Sequence, residues 1–317
     1  MIAYLNIHPY NFVYNGTDSE DDVAEKLLSL VSDMRDIYYN HSEENKFKCH
    51  EEILSCPIFQ QINIIDFAVE HLQNDEQALF FSVFCNTSNS FNCSIEELCN
   101  ICCYKEDEEV VNSMLVLNSS SYKPSPVSPS QFDKYEVIFN RQSWISLRRQ
   151  ILGNHPGCPK GFIAECCIYF PNLFFHDNCV SSLSEDNYLA CIPRKIVYYL
   201  SALNDSFKMI REKHKDREND ANSILEDFSG HCCLDEAGSL QGDPKTKYLR
   251  KFVFGYNDNN VKKQIEMECE PHLKIESHDK NYSGRISAPF HPRIYFHFGQ
   301  QYVEGGKILI GSIGPHL

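Results

Sequence analysis

The chain has 317 residues, enough for one large domain or two modest ones, and enough to bury a core without disulfide staples. A hydrophobic fraction of 42%, with 14 Gly and 14 Pro, excludes a fibrous or wholly disordered chain. The 29 Lys and Arg stand against 44 Asp and Glu, and the resulting net charge of −15 excludes non-specific attraction of the whole molecule to nucleic acid or anionic membrane. Any nucleic-acid contact is therefore expected to be local.

Fifteen cysteines is an odd number, and Met1–Phe12 lacks the charged and apolar regions of a secretory signal. The thiols read as mostly reduced and the protein as cytoplasmic. The longest apolar runs, such as Ala78–Cys85 and Lys307–Ile313, fall well short of the roughly 18 residues of a membrane span. No membrane partner is expected.

At the start, Met1–Val13 carries enough Ile, Tyr, Phe and Val for a strand or a loop packed on the core. Thr17–Tyr39 then places Val23, Leu27, Leu30, Val31, Met34 and Tyr38 at spacings of three and four behind an acidic first turn, which predicts an amphipathic helix. Helical spacing recurs through Ile62–Leu72 and Glu76–Cys85. Ser94-Ile95-Glu96-Glu97 has the form of a capping box for a helix that would carry Cys99, Cys102 and Cys103. A short helix over Asp107–Leu117 would complete an all-helical first region. Residues 119–130 read SSSYKPSPVSPS, too rich in Ser and Pro for a helix or central strand, and predict a linker or long loop.

Helical spacing returns at Trp144–Leu152 and Lys160–Phe170. Phe170–His176 is an aromatic segment that reads as core, with a contact surface as the alternative. Pro193 suits the first turn of a helix carrying Ile196, Val197, Tyr199, Leu200 and Leu203, and the charge-dense Lys208–Asn222 reads as a solvated face. After Gly242 the pattern changes. Lys251–Tyr256, Ile265–Ile275, Arg293–Phe298 and Lys307–Ile313 are β-branched or aromatic runs separated by Asn, Asp, Gly and Pro, as in consecutive antiparallel strands. Residues 250–317 hold nine Lys and Arg against seven Asp and Glu, a net of +2, which leaves −17 for residues 1–249. The expected fold is therefore α+β, a mainly helical N-terminal region followed by a small C-terminal antiparallel β-sheet. Its parts are helical 1–118, the linker 119–130, helical 131–242 and the sheet domain 243–317.

The last segment carries the chemistry. On alternating strands Arg293, Tyr295 and His297 would share one face opposite Ile294, Phe296 and Phe298, while His272 and Lys274 would share a face opposite Leu273 and Ile275. His272-Leu273-Lys274, Gly284-Arg285-Ile286, Arg293-Ile294-Tyr295-Phe296 and the closing Lys307–Ile313 with His316-Leu317 follow one another in an order that resembles the RelE/HigB family of bacterial toxins. The resemblance covers under a quarter of the chain. It implies a compact domain with a curved antiparallel sheet that cleaves RNA at the ribosome without a metal or other cofactor, in a toxin–antitoxin or defence setting. Attack by a 2′-hydroxyl needs a proton acceptor, a cation for the charge growing on phosphorus and an acid for the leaving oxygen. By that resemblance Arg285 and Arg293 would hold phosphate, His297 or Lys274 would move protons, and Tyr295 would stack on a base. The candidate catalytic residues are thus Lys274, Arg285, Arg293, Tyr295 and His297, and the partners are RNA or the ribosome.

The sequence departs from the toxin pattern in its length, its net negative charge and the lack of an obvious preceding helix pair. The acidic helical region would then cover the basic groove or recruit a protein partner. The competing class is a non-enzymatic interaction or accessory module whose C-terminal sheet docks a partner. Three other readings carry less. Glu266, Glu268, Glu270 and His272 alternate as divalent-cation ligands would, without the spacing of a restriction-type nuclease. Cys99-x-x-Cys102 with Cys103 lacks a second CxxC and reads as packed thiols rather than zinc ligands. Ser94–Cys103 with Asp107–Leu117 loosely suggests a helix-turn-helix, but Asp107, Glu108 and Glu109 would be repelled by DNA.

Overall fold

The computed structural model of the protein describes residues 2–7, 16–41, 45–49, 54–55, 57–84, 88–89, 110–115, 137–138, 141–185, 188–214, 221–240, 244–258, 261–275 and 291–317. The Ser/Pro-rich stretch 119–130, the capping box at Ser94 with Cys99, Cys102 and Cys103, and Arg285 lie outside these residues. The fold is α+β and divides into two compact units, Met1–Arg148 and Arg149–Leu317.

In the first unit β1 (Ile2–Ile7) leads into α1 (Glu20–His41), as the amphipathic period requires. Ser19 Oγ accepts from the Asp22 amide while the Asp22 carboxylate accepts from the Ser19 amide, so two orphan donors are satisfied reciprocally at the helix start. Val23, Leu27, Leu30, Val31, Met34 and Ile37 are all buried. β2 (Asn45–Cys49), the small antiparallel pair β3 (Pro57–Phe59) and β4 (Ile62–Asn63), α2 (Ile64–His71), α3 (Asn74–Phe84) and β5 (Ser88–Asn89) follow. Asn63 caps α2 by accepting from the amides of Ile65 and Asp66.

β6 (Val110–Leu115) and β7 (Val137–Ile138) complete a five-stranded parallel sheet in the order β5-β2-β1-β6-β7. The first region is therefore not all helical, and the helix expected over Asp107–Leu117 is a strand along its middle. β6 pairs with β1 at every residue from Ile2↔Val110 to Ile7↔Leu115, and this ladder overrides a short helical spacing. In β1 the consecutive Leu5, Asn6 and Ile7 are all buried, as in a parallel strand covered on both faces, which shows no alternation to read.

α4 (Arg141–Asn154) spans the division between the units. The second unit continues with α5 (Pro159–Tyr169), β8 (Leu173–Phe175), α6 (Asn178–Ser184), α7 (Tyr188–Cys191), α8 (Pro193–Lys213) and α9 (Ala221–His231). Pro193 opens α8, whose apolar side buries Ile196, Val197, Tyr199, Leu200, Leu203, Phe207 and Ile210. β9 (Ser239–Leu240) and a 3₁₀ turn at Pro244–Arg250 precede β10 (Lys251–Asp258), β11 (Val261–Glu268), β12 (Pro271–Lys274), β13 (Arg293–His297) and β14 (Ile308–Gly314). The four expected C-terminal strand segments are all extended. They do not form a sheet by themselves, because the main sheet runs β8-β14-β13-β12-β9 and so takes an edge strand from 173–175 and another from 239–240. The segment read as one strand over Ile265–Ile275 is broken at Cys269 and Glu270, which separates β11 from β12.

Both faces of this sheet are covered. One packs Ile294, Phe296, Ile308, Ile310 and Ile313 against the helices through Phe207, Leu200 and Leu203. The other packs Tyr295 and Leu309 against Phe252, Phe254 and Met267 of the hairpin β10–β11. Leu173 and Phe175 are buried in the helix-side core, so the aromatic run from Phe170 is core. No helix among the described residues is long and apolar enough to cross a membrane.

The hairpin can sit this close because β14 carries Gly311 beneath it. A Cβ added there would lie 2.5 Å from two ring carbons of Phe252 and 2.9 Å from the Cys269 sulfur. Gly311→Ala is expected to cost about 1–3 kcal/mol through overpacking. Gly255→Ala, whose methyl meets nothing within 4 Å, leaves stability near wild type. Urea midpoints of the two variants provide the comparison.

Candidate functional site

The expected polar face of β13 is an internal layer. Tyr295 is 0% exposed, its hydroxyl accepts from the Leu317 amide at 3.0 Å, and burial raises its pKa. It offers no ring face for a base to stack on. The hairpin is the physical cause, since Phe252, Phe254 and Met267 need an apolar surface and the tyrosine ring supplies part of it.

Arg293 and His297 stand at opposite ends of β13, roughly 13 Å apart for four residues of strand rise. The His297 Nδ1 accepts from the Gly299 amide at 3.0 Å, and burial and then the nearby Arg211 charge lower its pKa. Lys274 lies beside Arg293 in the β12–β13 register and is ion-paired with Glu236. The structure thus brings Lys274 and Arg293 together at one end of the sheet, buries Tyr295 behind them and leaves His297 apart.

At that end a group has formed that the strand pattern alone did not reveal. His272 pairs with Tyr295 across β12 and β13, and their rings lie 5.2 Å apart at 34°. On its other side His272 pairs with Ser239 of β9, whose Oγ lies 3.1 Å from the imidazole Nε2. The Nδ1 lies 3.4 Å from the Glu270 carbonyl oxygen. That oxygen can only accept, so Nδ1 carries the proton and Nε2 accepts from the serine hydroxyl.

Three cations or potential cations surround the ring. Burial pushes the His272 pKa down to about 4, the Glu270 carbonyl opposes the shift, and the charges of Arg293, His316 and Arg250 add to it. Burial and the two arginines likewise lower His316, which is exposed. Arg250 is 1% exposed and donates to Thr246 Oγ1 at 2.8 Å. Arg293 is half-buried, and its Nε has no hydrogen-bond partner among the described residues. Two guanidinium groups lie near the imidazoles, with the Glu236 carboxylate acting on Arg293 and ion-paired with Lys274, and a planar arginine fork fits phosphate.

The chain matches no family model, and no curated protein or solved structure matches it. The geometry of the second unit therefore carries the functional reading.

Glu266 and Glu268, which alternate with His272 in the sequence as cation ligands would, do not share a sheet with it. Glu266 and Glu268 belong to β11 and pair with Lys251 and Lys247, whereas His272 belongs to the other sheet. Among the described residues no group of three or more His, Cys, Asp or Glu is arranged to hold a metal ion. Cys166, Cys179 and Cys269 are buried thiols whose pKa values burial raises, which leaves them inert as nucleophiles. Ser239 and His272 were within reach of sequence reading only as a polar pair flanking strands. Their 33-residue separation hid the contact.

The buried, neutral His272 has a stability consequence with a definite sign. The unfolded chain takes up its proton near the ordinary value of 6.5, and the folded protein only near 4. Stability is full above the unfolded value, falls as pH drops from 6.5 towards 4, and then levels off. The span corresponds to about 3 kcal/mol. Unfolding free energy measured against pH should fall more steeply over that window in the wild type than in His272→Gln, and equal slopes would show that the imidazole is not held neutral.

Proposed function

We propose that the second unit binds a phosphate-bearing ligand, RNA, at the Arg293 end of its sheet and cleaves a phosphodiester there without a metal. The observation that carries this reading is the half-buried Arg293 guanidinium beside a neutral His272, a fixed cation next to a proton acceptor. Arg293 grips the non-bridging oxygens, Lys274 adds charge from beside it, and His272 takes the proton role expected of His297 or Lys274. The resemblance to RelE/HigB toxins points to RNA, and to the ribosome as its setting in a toxin–antitoxin or defence context. In that context the net −17 of residues 1–249 provides an acidic surface for a protein partner or inhibitor.

The burial of Tyr295 and the Lys274–Glu236 ion pair favour a second reading. Here the unit is a non-enzymatic docking module and its polar end is structural. The two separate with the full-length chain, end-labelled RNA and excess chelator. Cleavage is expected, with Arg293→Ala lowering its rate by about 10- to 100-fold, as loss of a charge-assisted contact implies. Intact RNA in the presence of folded wild-type protein would leave the docking module as the function.

A further inference from the structure

We propose that Ser239 is the nucleophile of this site, with His272 as its general base and the Glu270 carbonyl orienting the imidazole. The inference rests on the site being a phosphodiester-cleaving centre, and names the group that attacks.

The geometry has the three parts of an activated hydroxyl. Ser239 Oγ and His272 Nε2 are 3.1 Å apart, within reach for proton transfer. The ring is held in one tautomer by the Glu270 carbonyl at Nδ1 and in one plane by Tyr295, whose own hydroxyl is tied to the Leu317 amide. Ser239 is exposed while His272 is 5% exposed, so the nucleophile faces solvent and the base is shielded from it. Strand pairing rather than loop conformation sets this arrangement, because Ser239 and His272 are register partners of β9 and β12. β9 is one of the two edge strands of the sheet, which leaves the exposed serine open to an incoming chain. Arg293, whose charge reaches the His272 ring, is assigned the positive charge that a phosphorane requires.

The step balances with groups on the protein and water. Ser239 Oγ attacks phosphorus, an Oγ–P bond forms, and the P–O bond to the leaving alkoxide breaks. The hydroxyl proton passes to His272 Nε2 and from there to the leaving oxygen. Water, deprotonated by the same nitrogen, then attacks phosphorus of the seryl phosphodiester, the Oγ–P bond breaks and the proton returns from Nε2 to Oγ, which releases a phosphomonoester and restores the serine. No ribose hydroxyl takes part, so the site accepts diesters that lack a neighbouring 2′-OH.

A tagged fluorophosphonate tests this without a known substrate, since an activated serine displaces fluoride and keeps the phosphonyl group. With the full-length protein, peptide mass spectrometry is expected to find the adduct on Ser239. His272→Gln should slow its formation by roughly 10²- to 10⁴-fold, the usual range for a general base. Ser239→Ala, checked as folded by its thermal transition, should form none. No adduct on Ser239 of the folded wild type, or a rate unchanged by His272→Gln, overturns the proposal. In the RNA assay, cleavage that stops when the scissile ribose is 2′-deoxy also overturns it while leaving RNA cleavage intact. An adduct on Ser239 with no RNA cleavage supports the serine and removes RNA as the substrate.

Discussion

The packing of the β10–β11 hairpin on the C-terminal sheet governs what the second unit shows to solvent. Phe252, Phe254 and Met267 meet Tyr295 and Leu309 in a second apolar layer, while the helices fill the first layer with Ile294, Phe296, Ile310 and Ile313. A strand covered on one face can line a groove with alternate side chains. A strand covered on both can present polar groups only at its ends. β13 follows the second rule, with Arg293 and His297 half-exposed at its termini and three buried residues between them.

That constraint concentrates the polar chemistry at one end of the sheet. His272 is buried beside Arg293, near Arg250 and His316, and both burial and like charge oppose its protonation. A neutral imidazole is the form in which a histidine accepts a proton. The hydrogen bonds on its two nitrogens then differ in role, one fixing the tautomer and the other engaging Ser239. The sheet register places each of these groups, since Ser239, His272 and Tyr295 stand in a row across β9, β12 and β13.

The first unit is built on another principle. Among the described residues β1 leads to β2 through α1, α2 and α3 lie between β4 and β5, and the sheet order β5-β2-β1-β6-β7 puts β1 in the middle although it begins the chain. Long-range pairing of this kind forms only once the intervening segments have folded back. A spacing rule applied to Asp107–Leu117 alone therefore finds a helix where the ladder with β1 requires a strand.

The sequence by itself determined the elements whose evidence is local. The period of Val23, Leu27, Leu30 and Met34 specifies α1, Pro193 and the apolar positions after it specify α8, and the β-branched runs after Gly242 specify β10 to β14. It also named Lys274 and Arg293, which the β12–β13 register sets side by side. Only the tertiary structure decided that neither side of β13 meets water, because alternation distinguishes two faces but not what covers each. It alone brought Ser239 to His272, since a contact between neighbouring strands depends on register and sheet order, and neither is written in the spacing of side chains along one strand.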